Sequence, residues 1–384
     1  MIKEFVIITE QAANVLAWQR NSFQPGPTTK KNNISAMTSR MMNGLTTSRE
    51  LRAFHENDKY SSGYEQSDVL CPEPVVSPLP RLSVLQQEIL RTLAYFDVFS
   101  YPLSTEQVYT FLPLNSVSIA QVGETLDSLV NCGIVERSHS FYFLADRTAS
   151  VVSERLQNEI RATRMMKRVK KIAFFLRQVP FVRAVFITGS LSKNVAGPSS
   201  DADFMIVTAP RRLWITKIFL TAIRRVFLLN SIRYFCLNLF VTEKGFQFPN
   251  RNVFNAIEIA TTRVLWNRAS YQKFQSANSW IEQFLPNRKR DVPAAHEESN
   301  TRSPVQKIIE AMVSIFPLDL LDHRIMESAH RYWRKKNLHL DDERFNALFH
   351  CTPDISTVWY DDHQTRILNG YRRRLAKFGI ERAA

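Results

Sequence analysis

The chain has no C-x-x-C pair, and its four cysteines, Cys71, Cys132, Cys236 and Cys351, stand far apart. That spacing indicates neither a disulfide framework nor a zinc cluster and makes a reducing cytoplasm the expected compartment. The opening stretch MIKEFVIITEQAANVLAWQRN has no long apolar core and no small-residue cleavage site, so no signal peptide is read there. Its longest apolar region, Leu213 to Phe240, is broken by Lys217, Arg224, Arg225 and Arg233. A membrane span needs about 18 uninterrupted apolar residues, so a soluble protein without a membrane partner is expected.

What is present is a globular composition, 45% hydrophobic and 11% aromatic over 384 residues, enough for two or three domains. The net charge of +14 is not spread evenly. Residues 151–290 hold 24 basic and 7 acidic side chains, whereas 81–150 hold 4 and 7, and 291–384 hold 14 of each. A local basic field of this size suits a polyanion such as a nucleoside triphosphate or nucleic acid, with solvated helix faces as the plain alternative.

Residues 1–80 are rich in Ser, Thr, Asn, Lys and Pro without sustained apolar periodicity, and read as a mostly disordered leader. From Leu82 the spacing turns helical, with Leu85, Ile89, Leu93 and Phe96 on one face. Capping boxes Ser104/Gln107 and Ser118/Gln121 announce two more helices, and IVER and FYFL around SHS read as a hairpin. Residues 81–148 thus resemble a winged-helix domain in pattern. Duplex DNA is an unfavoured partner for it. The third helix has no Lys or Arg between Val117 and Cys132 but carries Glu124 and Asp127, and Arg137 and His139 alone do not offset them. Packing or homodimerisation is the expected role.

A long helix from Val152 to Gln178 follows, with Leu156, Ile160, Val169, Ala173 and Leu176 as its apolar side and six cations between Arg161 and Lys171. After a linker at 291–302, residues 303–384 read as a helical region, with helices at Ser303-Pro304, 318–336 and His363 to Phe378. His323 and His330 share a helix face without further metal-ligand types nearby. Trp333, Trp359 and Tyr360 can stack a base or simply pack.

The chemistry concentrates in ITGSLSKNVAGPSSDADFMIV, residues 187–207. Two apolar strands, Val182 to Ile187 and Phe204 to Val207, flank a turn at Gly189-Ser190 and the acids Asp201 and Asp203. Glycine allows a phosphate to approach the backbone, the Ser190 hydroxyl can donate to a phosphate oxygen, and N–H groups at a helix start complete an anion cradle, with Lys193 adding a point charge. Carboxylates two apart on a strand project from the same face, an arrangement suited to Mg²⁺, which uses one or two carboxylates plus substrate phosphates.

The combination of strand, Gly-Ser, about ten residues, D-x-D and apolar strand resembles the nucleotidyltransferase superfamily of DNA polymerase beta, especially the minimal bacterial nucleotidyltransferases. The resemblance covers roughly residues 165–245, and the nucleotidyltransferase domain is placed at 149–290. It implies an α+β fold with a small mixed sheet flanked by helices. It also implies that Gly189 and Ser190 bind a triphosphate while Asp201 and Asp203 bind Mg²⁺ or Mn²⁺ and serve catalysis. The expected reaction moves a nucleoside monophosphate from a nucleoside triphosphate to an acceptor, whether protein, RNA or small molecule. The family's third carboxylate falls on Asn238 of the strand YFCLNLFVT, an amide that cannot act as a base. Glu243 and Glu258 are the candidate substitutes, with Glu258 on a helix spanning FNAIEIATTRVLW and Arg263 an alternative partner for it. A nucleotide-binding protein without transfer activity is the second expectation, and a DNA-binding regulator the third.

Overall fold

A computed structural model describes residues 82–227, 233–289, 301–358 and 363–380. The leader at 1–80, most of the linker, Trp359 and Tyr360 lie outside them. No helix among the described residues is long and apolar enough to cross a membrane.

Three short helices come first, α1 (Val84–Asp97), α2 (Thr105–Phe111) and α3 (Ile119–Asn131), followed by the hairpin strands β1 (Val135–Ser138) and β2 (Phe141–Leu144). Each helix begins on a reciprocal capping box, at Ser83/Gln86, Ser104/Gln107 and Ser118/Gln121. A serine cap stabilises a helix by about 1 kcal/mol, which matters for segments as short as α2. The hairpin turns at His139, which takes a left-handed φ of 55°.

Helix α4 (Ser150–Leu176) leads from this module to the sheet. Its buried line is Val151, Val152, Arg155, Ala162, Met165, Val169, Ala173 and Leu176, whereas Leu156 and Ile160 are exposed. The expected apolar side was therefore rotated in the first half of the helix. The cause is Arg155, whose guanidinium lies over the rings of Tyr101 (4.3 Å) and Phe141 (4.0 Å) and donates to the Pro102 carbonyl. An arginine stacked on two rings and hydrogen-bonded to Glu159 and the Pro102 carbonyl takes the place of an aliphatic anchor.

The remaining elements are β3 (Val182–Thr188), the short turn of helix α5 (Gly189–Ser192), β4 (Asp203–Thr208), α6 (Leu213–Phe227), β5 (Cys236–Thr242), α7 (Val253–Thr261), β6 (Arg263–Trp266) and α8 (Arg268–Ala277). The C-terminal part supplies α9 (Pro304–Val313), α10 (Leu318–Lys336), α11 (Asp342–Leu348), β7 (Phe349–Cys351), β8 (Ile355–Val358) and α12 (His363–Ala376). Six strands form one sheet in the order β6-β3-β4-β5-β8-β7, in which β4 and β5 are parallel and the other neighbours antiparallel.

Two corrections to the sequence reading follow. The region 303–384 is not helical throughout, because β7 and β8 extend the sheet beyond β5. Strand β8, with β-branched Ile355 and Thr357, covers what would be an unpaired edge of a largely buried strand. The helix expected over FNAIEIATTRVLW stops at Thr261, and Thr262 turns the chain with ψ 134° into strand β6. The Thr261 and Thr262 hydroxyls donate back to the carbonyls of Ile257 (2.7 Å) and Glu258 (2.9 Å), which suits a helix end.

Side chains alternate along the strands to serve two cores. Ala184, Phe186, Met205, Val207, Leu239 and Val241 face the core shared with α1 to α3 and α7. Val185, Ile187, Phe204, Ile206 and Phe240 face the core shared with α4 and α6. The mixed sheet flanked by helices fits a nucleotidyltransferase fold.

Candidate functional site

Strand β3 delivers the chain to Thr188, which pairs with Asp203 at the start of β4, and the Thr188 hydroxyl donates to the Asp203 carbonyl at 3.2 Å. The next residue, Gly189, has a φ of +67°. A Cβ built on it would lie 2.3 Å from Asp203 Oδ2, so only glycine allows the turn to close over this carboxylate. Ser190 follows in the short turn of helix, and its hydroxyl has no hydrogen-bond partner among the described residues.

Of the two acids expected on one strand only Asp203 is on it, opening β4, while Asp201 lies just ahead, with Ala202 between them buried in the opposite core. The Ala202 N–H donates to the Arg233 carbonyl (3.0 Å) and the Cys236 N–H to the Ala202 carbonyl (3.2 Å), pinning the acidic pair against the entry to β5. Burial raises the Asp201 carboxyl and the Arg233 charge offsets part of that rise. Asp203 is raised to about 6, mainly by burial, although the Cys236 thiol donates a hydrogen bond to it. The charges of Asp201 and Glu258 push it further up, and Lys193 pulls it down. Burial and the Asp203 charge together hold the Cys236 thiol in its protonated, donating form. Two carboxylates that resist ionisation side by side are a site prepared for positive charge.

Lys193 Nζ donates to Glu258 Oε1 at 2.7 Å and to the Gly189 carbonyl at 3.2 Å. Glu258 thus finds its partner in Lys193, and Arg263, on the strand after the helix turn, is not that partner. Asn238 falls in a bulge: Cys236 stands opposite Asp203 and Leu239 opposite Met205, so β5 uses three residues where β4 uses two. Glu243 lies past the other end of β5, on the surface, paired with Lys273 at 2.8 Å. Of the candidate third carboxylates, Glu258 is therefore the one that acts on Asp203. Among the described residues no group of three His, Cys, Asp or Glu side chains is already arranged to hold a metal.

The structure also separates the distant candidates. His323 pairs with Glu327 at 3.2 Å, while His330 packs edge-on against Phe345, so the two histidines share no site. Trp333 is buried among Phe345 and Phe349 as core. Sequence reasoning overlooked Cys236 and Arg233; the only available signal was their place at the start of the strand that carries Asn238.

Residues 166–261 match the family model of a nucleotidyltransferase domain. The match begins inside α4, runs through the Gly-Ser turn and the acidic pair, and ends with α7. It supports the polymerase beta-like superfamily and nucleotidyl transfer in general. No curated protein and no solved structure matches the chain.

Proposed function

We propose that the protein is a nucleotidyltransferase that moves a nucleoside monophosphate from a nucleoside triphosphate to an acceptor. The observation that carries this reading is the closure of Gly189 over Asp203, which puts a bare backbone turn, a free serine hydroxyl and two raised carboxylates in one place. Asp201 and Asp203 fit one Mg²⁺ or Mn²⁺ completed by phosphate oxygens, and the ion would supply charge neutralisation on the transferring phosphate.

The chain's own groups perform the rest. The Gly189-Ser190 turn offers N–H and hydroxyl donors to the phosphates. Lys193 and Arg233 provide the positive field that an anionic substrate needs, and Lys193 also fixes the Gly189 peptide through its carbonyl. The Cys236 thiol orients Asp203. The module of α1 to α3 with its hairpin, read as winged-helix-like, acts by packing, since its cations are few.

A second reading, nucleotide binding without transfer, is favoured by one observation: Glu258 is engaged by Lys193 and Asn238 replaces the third acid. The two are separated by incubating purified protein with labelled nucleoside triphosphate, Mg²⁺ or Mn²⁺ and cell extract. Labelled product that disappears in Asp201→Ala/Asp203→Ala supports transfer. Nucleotide retention without product supports the second reading, and loss of neither signal in the double variant defeats both.

A further inference from the structure

A cavity of about 340 Å³ lies at the other end of β3 from the Gly-Ser turn, lined by Arg183, Trp266, Asn267, Thr301, Arg302 and Lys307. Its volume falls in the range of small-molecule sites. Thr188 abuts Asp203, whereas Trp266 of β6 pairs with Val185, and Arg183 stands five residues before Thr188. At a strand rise of about 3.3 Å per residue, Arg183 and Thr188 are roughly 16 Å apart, so the cavity is a separate place on the sheet.

The charged side chains of its lining are all cations. Trp266 is 4% exposed, and its indole N–H is buried with no hydrogen-bond partner among the described residues. Leaving such a donor unpaired is unfavourable, and indole nitrogen can only donate. The Asn267 amide is already committed, donating to the Arg183 carbonyl at 2.8 Å and accepting from the Ser270 N–H at 3.2 Å. Arg183 and Arg302 share a single carboxylate, Glu310, at 2.8 and 3.0 Å, and Glu310 also accepts from the Phe181 N–H. Lys307 is exposed and has no side-chain partner among the described residues. Three cations therefore face one acid, and the uncommitted Trp266 and Lys307 groups are donors. The positive end of α9, which starts at Pro304, adds to this field.

A ligand that answers these cations and the unpaired indole N–H brings negative charge and acceptor oxygens. The donors come from β3, from the end of β6 and from the first turns of α9, so they approach from different directions. A tetrahedral oxyanion presents oxygens in several directions, whereas a carboxylate presents two in one plane. We propose that this cavity binds a small phosphate-bearing anion, independently of the nucleotide site.

The test is thermal unfolding and calorimetric titration of the full chain with EDTA present, using inorganic phosphate, glycerol phosphate and acetate at matched ionic strength. The proposal expects both phosphates, but not acetate, to raise the melting temperature saturably. Tighter binding of glycerol phosphate identifies a phosphorylated metabolite as the source, and equal binding identifies free phosphate. Lys307→Glu and Trp266→Phe should each weaken the response about tenfold, the loss of one charge-assisted hydrogen bond. Trp266→Phe keeps an aromatic ring in the core, and Arg302→Gln, on the surface, serves should that variant fail to fold. Lys193→Ala, at the other site, should leave the response intact. Absence of any phosphate response, an equal response to acetate, or a response indifferent to Lys307→Glu and abolished by Lys193→Ala overturns the proposal.

Discussion

Lys193 is held from two sides, with its Nζ 2.7 Å from Glu258 Oε1 and 3.2 Å from the Gly189 carbonyl oxygen. The pair ties α7 to the Gly-Ser turn across 65 residues of sequence. It also commits a lysine expected to meet phosphate. Glu258→Gln should release that lysine, so nucleotide affinity in calorimetry should hold or rise by up to about tenfold, the scale of one charge-assisted contact. A fall in affinity would show that Glu258 itself holds the ligand. In a double-mutant cycle with Lys193→Ala, the partly exposed pair should couple by about 1 kcal/mol.

Asp203 titrates at about 6 because it is buried beside Asp201 and Glu258. Binding of a divalent cation needs the ionised form, so the apparent affinity for the Mg²⁺–nucleotide should be level above this pH and fall about tenfold per unit below it. Stability of the metal-free protein should move the opposite way. A carboxyl raised above its ordinary 3.8 adds stability below 3.8 that is lost as the pH rises through 6. Asp203→Asn should therefore stabilise the protein by about 1 to 2 kcal/mol at pH 7.5 and show no gain at pH 4, read from denaturant melts.

Gly189→Ala combines a left-handed φ of +67° with a methyl group 2.3 Å from Asp203 Oδ2. The backbone conformation alone costs about 1 to 2 kcal/mol, and the carboxylate must move to make room. The variant should fold with a lowered melting temperature and lose nucleotide binding. Retention of full affinity would mean that the Gly189 turn does not approach the ligand.

Lys217 on α6 is flanked by the Trp214 and Phe240 rings, and its Nζ donates to Ser356 Oγ at 2.7 Å. Burial lowers it from 10.5 to about 8. Between pH 8 and 10.5 the unfolded chain binds the proton more strongly, so this residue makes stability rise with pH across that window. Below 8 the cost is constant. Lys217→Met should raise stability at pH 7 by about 1 to 2 kcal/mol and flatten the alkaline rise in melting temperature, and a destabilised variant with an unchanged pH profile would contradict the assignment.

Much of this architecture is legible in local sequence, since it is written in short-range rules. Ser104/Gln107 and Ser118/Gln121 announce helix starts that form as full capping boxes, and Gly189 makes the turn expected between two apolar strands, although Asp201 falls just ahead of the strand that Asp203 opens. What escapes is long-range partnership. The pairing of Lys193 with Glu258 has no local signature, and neither does the addition of β7 and β8 to the edge of β5. The division of the expected 254–266 helix into α7 and β6 was decided by tertiary pairing, since β6 completes the sheet beside β3. Asn238 could be placed on a strand, but the bulge that alters its aim depends on the register with β4.

The first and last described helices meet. Buried Asp97, at the end of α1, accepts from Arg147 at 2.8 Å and also from Arg374 of α12, 277 residues further on. During synthesis the amino-terminal module emerges with one of its two guanidinium partners still untranslated. This anchor therefore closes only once residue 374 has been made, and until then Arg147 is the one of its two guanidinium partners available to Asp97.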